Sequence, residues 1–407
     1  MNLHELRTDC VHFTGYRPCH RGCECRGCPD FTAAGPNVLV LKLYQLGNIV
    51  KSTPVLHALR KLHPDCRISW MASPAGCELL AHNPFIHQLL TDNTNDLLYC
   101  QQIKWDLILS LEANRQAAAI ATSLKADRKL GFGLDEHGKL WPLGPESEVL
   151  YSFNLSNELR FHVNDKTVHE LYFDLLGVPY EGEEYVICPS EADYAYADHL
   201  LRSLGLAPSS VGKASSAAGP GTAAGAGCPG YREAGPPLIG FNTGGNAARF
   251  ETKQWTIDGF VQLARLLHQR LGAKVVLLGG PAEVARNAEI LSRTRDCAVD
   301  SGCDHAILQF CAFLSRLDCV VSGDAFGLQA AVAMGTPTVG IFGPTPPQEI
   351  AMFGRGRKVV APVDCSPCYI RNARDCERHA DCMELISAEE VYAAVEELLR
   401  EQGRLPL

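Results

Sequence analysis

The chain has 407 residues, enough for two or three domains, with 46% apolar and 20% charged side chains. A net charge of -9 argues against a nucleic-acid binder relying on a broad basic face. No window nears the ~18 continuous apolar residues of a membrane-spanning helix. The start, MNLHELRTDC, lacks the apolar core of a secretory signal, so the cytoplasm is the default expectation.

In chain order, a cysteine-rich start (residues 1–34) comes first. Residues 37–43 (NVLVLKL) then predict a buried strand, and 55–63 a helix with Thr53 as N-cap and Pro54 at its first position. Strands over 67–73 and 106–111 and a helix over 115–125 continue the alternation, which means βαβ units and a parallel sheet. A polar, aromatic connector (145–164) leads to helical segments near 167–176 and 190–204. Residues 207–236 break the pattern: eight Ala, seven Gly, four Ser and four Pro leave little to bury, which predicts a linker or insert.

A second alternating run follows, with strands over 238–243, 274–278, 319–322 and 338–342. Helices are expected over 257–271, 282–293, 306–315 and 388–400. The domain division is therefore 1–34, 35–206, 207–236 (linker), 237–386 and 387–407 (helix and tail). Two such domains would face a cleft at the C-terminal ends of their strands, where these folds bind ligands.

Three glycine-bearing loops follow strands in the second half: 242–245 (NTGG), 279–281 (GGP) and 323–324 (GD). Each alone could be an ordinary βα turn. Together, and with Lys253 to neutralise phosphate, they point to a nucleotide diphosphate, although neither a Walker loop nor G-x-G-x-x-G is present.

Half of the eighteen cysteines fall in two clusters, and the rest are scattered singly. Cys10, Cys19, Cys23, Cys25 and Cys28 form the first; Cys365, Cys368, Cys376 and Cys382 form the second. Structural zinc is the first expectation for each, through Cys10, Cys19, Cys25 and Cys28 in the N-terminal set. Unliganded thiols and an iron–sulfur centre stay open, because spacing does not separate these metals. Isolated cysteines such as Cys311 and Cys319 read as small buried hydrophobes.

The runs 43–54 (LYQLGNIVKSTP), 240–255 (GFNTGGNAARFETKQW), 277–283 (LLGGPAE), 321–337 (VSGDAFGLQAAVAMGTP) and 341–346 (IFGPTP) resemble glycosyltransferase family 9, the heptosyltransferase-like enzymes. The resemblance covers about 37–395 in the family's order. It implies an α/β fold of GT-B type, two Rossmann-like domains with a cleft between. It also implies inverting transfer of heptose or a related sugar from a nucleotide-diphosphate donor such as ADP-heptose. The acceptor would be a lipopolysaccharide-type glycolipid or oligosaccharide, with transient contact at the inner-membrane surface. No cofactor is expected for transfer: no two aspartates are spaced D-x-D, so Lys253 and backbone N–H groups would stabilise the leaving group.

Carried over by resemblance, Thr243 and Gly244 match the phosphate-contacting loop and Lys253 the phosphate-binding lysine. Glu283 matches a nucleotide-contacting acid, and Asp324 the acid near the donor sugar. Asp324 also suits a helix N-cap, and Lys253 a solvated surface position. Two positions depart from the family. Asn48 stands where the family has the acid that serves as general base, and Gln329 where it has a histidine. An amide cannot take the acceptor's proton, a service worth about 10²–10⁴-fold. Glu112, at the end of DLILSLE, is the nearest alternative carboxylate. Two rival functions follow: a catalytically attenuated sugar-nucleotide binding protein, and a thiol-metal regulatory protein.

Overall fold

The computed structural model describes residues 3–15, 19, 25–206, 235–245, 250–379 and 381–405. Almost all of the segment read as a linker, 207–234, lies outside the described residues, as does Cys23.

Two six-stranded sheets carry the fold. The first contains β1 (Asn37–Leu41), β2 (Arg67–Met71), β3 (Ile86–Leu90), β4 (Trp105–Ser110), β5 (Ala126–Leu134) and β6 (Leu140–Leu143). The second contains β7 (Leu238–Asn242), β8 (Lys274–Leu278), β9 (Ala298–Asp300), β10 (Cys319–Gly323), β11 (Thr338–Phe342) and β12 (Gly356–Val360). Their orders are β3-β2-β1-β4-β5-β6 and β12-β11-β10-β7-β8-β9. Both follow the doubly wound Rossmann order, all parallel except the β5–β6 pair. Each sheet therefore has a switch point, beside β1 and β4 in one and β7 and β10 in the other.

The predicted strands were apolar runs because their positions are buried on both faces: Val38–Leu41 and all of β7, β10 and β11 are buried. Strands β3, β5, β6, β9 and β12 were missed, being partly exposed edge or near-edge elements with mixed composition. Helix 257–271 forms as expected, capped by Thr256 and ended by Gly272 at φ 63. The final helix, Ala388–Glu401, packs on helix 257–271 and the second sheet, so it belongs to that core. The connector at 145–164 contains a helix, Glu148–Leu155, that buries none of its residues.

Capping at Thr53 needs correction. A short helix, Leu46–Ser52, precedes it; the Thr53 hydroxyl donates to the Val50 carbonyl (2.7 Å) and accepts from the Val186 N–H (2.8 Å). Pro54, not Thr53, occupies the N-cap of the next helix, Val55–Leu62. The consequence is functional, because helix 46–52 packs against helix Phe326–Ala333 of the other half. One apolar cluster runs from the first sheet through these helices into the second half, while two smaller clusters fill the remaining faces. Cys311 and Cys319 are fully buried in these cores, as expected of small hydrophobes.

Candidate active site

A cavity of about 860 Å³ lies between the halves, at the C-terminal ends of β1, β7 and β10. Asn48, Gly244, Lys253, Glu283, Asp324 and Gln329, all singled out from the sequence, line it together.

Lys253 is aimed by its neighbours. Trp255 is buried, stacks edge-on against Phe260 and donates its indole N–H to the Ile386 carbonyl (3.0 Å). That anchor fixes the turn Glu251–Lys253, and the Lys253 Nζ donates to the Asp324 carbonyl (2.6 Å) across the loop. Burial pulls the Lys253 ammonium below the ordinary lysine range, and the nearby Asp324 charge only partly restores it.

Asp324 is not the cap of helix 326–333. Ala325 holds that position without a side-chain cap, so the helix N-terminus opens uncapped into the cavity. The Asp324 Oδ1 instead accepts from the Gln329 amide (3.0 Å). The Gln329 Oε1 is buried without a partner among the described residues and hangs over Gly47. A Cβ at position 47 would sit 2.7 Å from that oxygen, so the two domains approach closely at this glycine. Glu283 accepts from the Gly280 N–H (3.0 Å) and packs so closely on Gly244 that a Cβ there would meet its carboxyl carbon at 2.5 Å.

Asn48 lies on the cavity side of helix 46–52, its amide donating to the Gln45 Oε1 (2.5 Å). Gln45 adopts φ 65, a conformation that strains a non-glycine residue and is characteristic of ligand-facing loops.

Two sequence expectations are corrected by the geometry. Glu112 does not line the cavity: it pairs with Lys42 (3.2 Å) and accepts from the Tyr44 N–H (3.3 Å) at the ends of β4 and β1. Thr243 turns its hydroxyl to Asn287 (2.5 Å), away from the cavity. Its loop still reaches the cavity through Gly244 and Gly245.

Sequence reading missed several lining residues. Lys51, one turn beyond Asn48, is 7% exposed and has no carboxylate within 4 Å among the described residues. Arg160 forms a two-pronged pair with Glu349 (2.6 and 3.1 Å) that joins the two halves, and stacks over Tyr369. Arg371 lies on the same side. His305 faces the Gly302 carbonyl (3.1 Å) with Nε2 and the Tyr196 hydroxyl (2.8 Å) with Nδ1. A carbonyl only accepts, so Nε2 carries the proton, and burial lowers the ring's pKa toward the neutral form.

Among the described residues, no three His, Cys, Asp or Glu side chains are grouped to hold a metal ion. The metal expectation for either cysteine cluster is therefore not met by preformed geometry. Cys365, Cys368, Cys376 and Cys382 are nonetheless electrostatic neighbours: burial pushes the Cys382 thiol up to about 11, and the other three push the same way.

The profile of glycosyltransferase family 9 (heptosyltransferase) matches residues 100–377. The chain belongs to glycosyltransferase family 9. It is 22% identical over 349 residues to the lipopolysaccharide core heptosyltransferase OpsX of Haemophilus influenzae, covering 82% of this chain and 86% of that one. Its fold is similar to a family 9 glycosyl transferase from Veillonella parvula (TM-score 0.64, 19% identity, 90% of this chain and 97% of that one). The E. coli ADP-heptose lipopolysaccharide heptosyltransferase II gives 0.62 at 15% identity, covering 90% and 99%. The iron-containing dodecameric glycosyltransferase TibC of E. coli gives 0.52 at 14%, covering 90% and 77%. The chain is thus a glycosyltransferase-family protein of GT-B-like α/β fold. Neither rival function, non-catalytic binding or thiol-metal regulation, finds support in these likenesses. Among the described residues, no helix is long and apolar enough to cross a membrane.

Proposed function

We propose that this family 9 protein transfers a heptose or related sugar from a nucleotide-diphosphate donor to a lipopolysaccharide-type acceptor, inverting the anomeric carbon. The observation that carries the donor reading is charge: Lys51 and Lys253 approach one cavity from opposite halves, beside the uncapped start of helix 326–333. Two cations and free helix N–H groups suit a diphosphate, and they stabilise the charge that grows on it as the glycosidic bond breaks. The ADP-heptose named for a solved neighbour supports that class of donor.

In this reading the diphosphate lies against the 244–245 loop, Lys253 and the helix start. Glu283 faces the nucleoside, and Asp324 and Gln329 hold sugar hydroxyls, the unpaired Gln329 oxygen accepting one. The acceptor hydroxyl enters beside Asn48. Its proton leaves without help from that amide, so turnover is slow. Membrane contact belongs to the acceptor's lipid, and the protein works at the cytoplasmic membrane surface. Cys365, Cys368, Cys376 and Cys382 would hold a structural metal, zinc first, on the loop that also carries Tyr369 and Arg371. The iron named for TibC supports a metal in this fold.

A thermal-shift panel of nucleotide sugars, followed by transfer assays, tests the reading. A donor at 100 times its dissociation constant should stabilise by about 2.7 kcal/mol. If no nucleoside diphosphate sugar stabilises the protein, the donor assignment is wrong.

A further inference from the structure

The N-terminal cysteines form a constellation that sugar transfer does not use. Cys10, Cys19, Cys25 and Cys28 line one small cavity of about 20 Å³, walled by Phe13 and Phe31. A space of ~10–15 Å³ holds one water-sized guest, so this one has room for a single ion. Cys10, Cys19 and Cys25 are free cysteines, and a pair of disulfides among the four would close that space.

The backbone is arranged around the same point. The Cys28 N–H donates to the Cys25 carbonyl (3.4 Å), and Gly27 between them takes φ 72, making a tight C-x-x-C turn. Outside the turn, the Val11 N–H donates to Thr32 (2.9 Å) and the Ala34 N–H to Asp9 (2.6 Å). Those bonds flank a Cys10–Ala33 bridge, closing a loop that contains all four cysteines.

That loop has almost no core. Among the described residues of 4–34, Cys10 is the one buried apolar side chain. Segments this small need a disulfide or a metal to hold a fold of their own. We propose that Cys10, Cys19, Cys25 and Cys28 bind one zinc ion as a tetrathiolate, and that this ion is what orders the N-terminal segment. The sulfurs surround the space without yet being grouped as ligands. Drawing them to ~2.3 Å from an ion is the coupling of metal to order seen in small zinc modules. The site joins the chain at the start of β1, whereas Asn48 and Lys51 lie beyond its other end, so it is separate from the transfer cavity.

The test uses the full chain, purified without chelator and kept reduced. Elemental analysis should show one zinc equivalent fewer per chain in Cys25→Ser/Cys28→Ser than in the wild type. Cys23→Ser and Cys365→Ser/Cys368→Ser should both retain that N-terminal equivalent. The first variant should also be cut by protease within residues 1–34 while nucleotide-sugar binding is unchanged, which reads this proposal separately from the transfer reading. If the variant fails to fold, chelated wild type refilled with cobalt should show thiolate-to-cobalt absorption and regain protease resistance. Unchanged zinc content in Cys25→Ser/Cys28→Ser, loss of the metal in Cys23→Ser, iron in place of zinc, or disulfides among the four would each overturn the proposal.

Discussion

Lys51 offers the sharpest test, because the same side chain should matter in opposite directions for folding and for binding. The residue is 7% exposed, faces the cavity and has no carboxylate within 4 Å among the described residues. Removing a polar group that is partly desolvated and has no partner relieves up to about 1–3 kcal/mol. Methionine keeps the length of the stem and suits a half-apolar position. Lys51→Met should therefore raise the melting temperature of the ligand-free protein, by roughly 2–4 °C per kcal/mol for a domain of this size. Donor binding should go the other way. A hydrogen bond to a charged group contributes about 1.5–3 kcal/mol, so loss of the Lys51–phosphate contact should weaken a nucleoside diphosphate roughly 10- to 150-fold. Differential scanning fluorimetry with and without nucleoside diphosphate reads both effects in one experiment. A variant that melts lower and binds nucleoside diphosphate as tightly as the wild type would show that Lys51 packs and does not meet the phosphate.

Four further outcomes are expected. Lys253→Ala should weaken donor binding by a comparable factor without altering the fold, measured by calorimetry and circular dichroism. Because burial holds the Lys253 pKa below the ordinary range, its charge is complete at low pH and is lost early as pH rises; wild-type donor affinity should fall on the alkaline side before that of Lys253→Arg. Glu112→Gln should leave the kinetics nearly unchanged but lower stability by about 1–3 kcal/mol, because the buried Lys42 ammonium loses its counter-charge and keeps only neutral acceptors such as the Leu111 carbonyl (3.3 Å). Asn48→Asp should raise transfer ten-fold or more, a barrier change of about 1.4 kcal/mol; no change would place the proton acceptor elsewhere.

The fold was legible because its signals are local. Strands such as Lys274–Leu278 and Thr338–Phe342 are unbroken apolar runs, buried on both faces, and helix 257–271 carries its own cap and its own stop. Helix 46–52 was not legible. It spans seven residues, begins after a strained Gln45 and has no side-chain cap, so packing against helix 326–333 and not local propensity holds it. The same division runs through the site. Lys253 and Asp324 sit in loops and turns that the chain advertises, and Gln329 in the helix that follows one of them. Arg160 and Glu349 meet across 189 residues, and no local pattern marks a pair that exists only when the halves close. Glu112 was mistaken for a cleft acid for a related reason: a strand-end carboxylate is a natural catalyst until the neighbouring strand supplies Lys42.

The polar inventory of the cleft follows from where its charges are satisfied. Glu349 is neutralised by Arg160, and Glu283 is tied to the Gly280 N–H. Asp324 leans on the neutral Gln329 amide. On the basic side, Lys253 donates to a carbonyl and Lys51 to no acid, so cationic capacity is left over where acidic capacity is mostly engaged. A cavity with that imbalance attracts an anion before it attracts a proton. Substituting Asn for Asp at position 48 moves the balance further the same way. It removes the one negative charge that would stand one helical turn from Lys51, which favours holding the diphosphate over deprotonating the acceptor. Donor affinity and transfer rate should therefore be separable in this protein: Asn48→Asp should speed transfer while loosening the donor, because the new carboxylate competes with phosphate for Lys51. Faster transfer with equal or tighter donor binding would mean that Lys51 and position 48 act on different parts of the substrate.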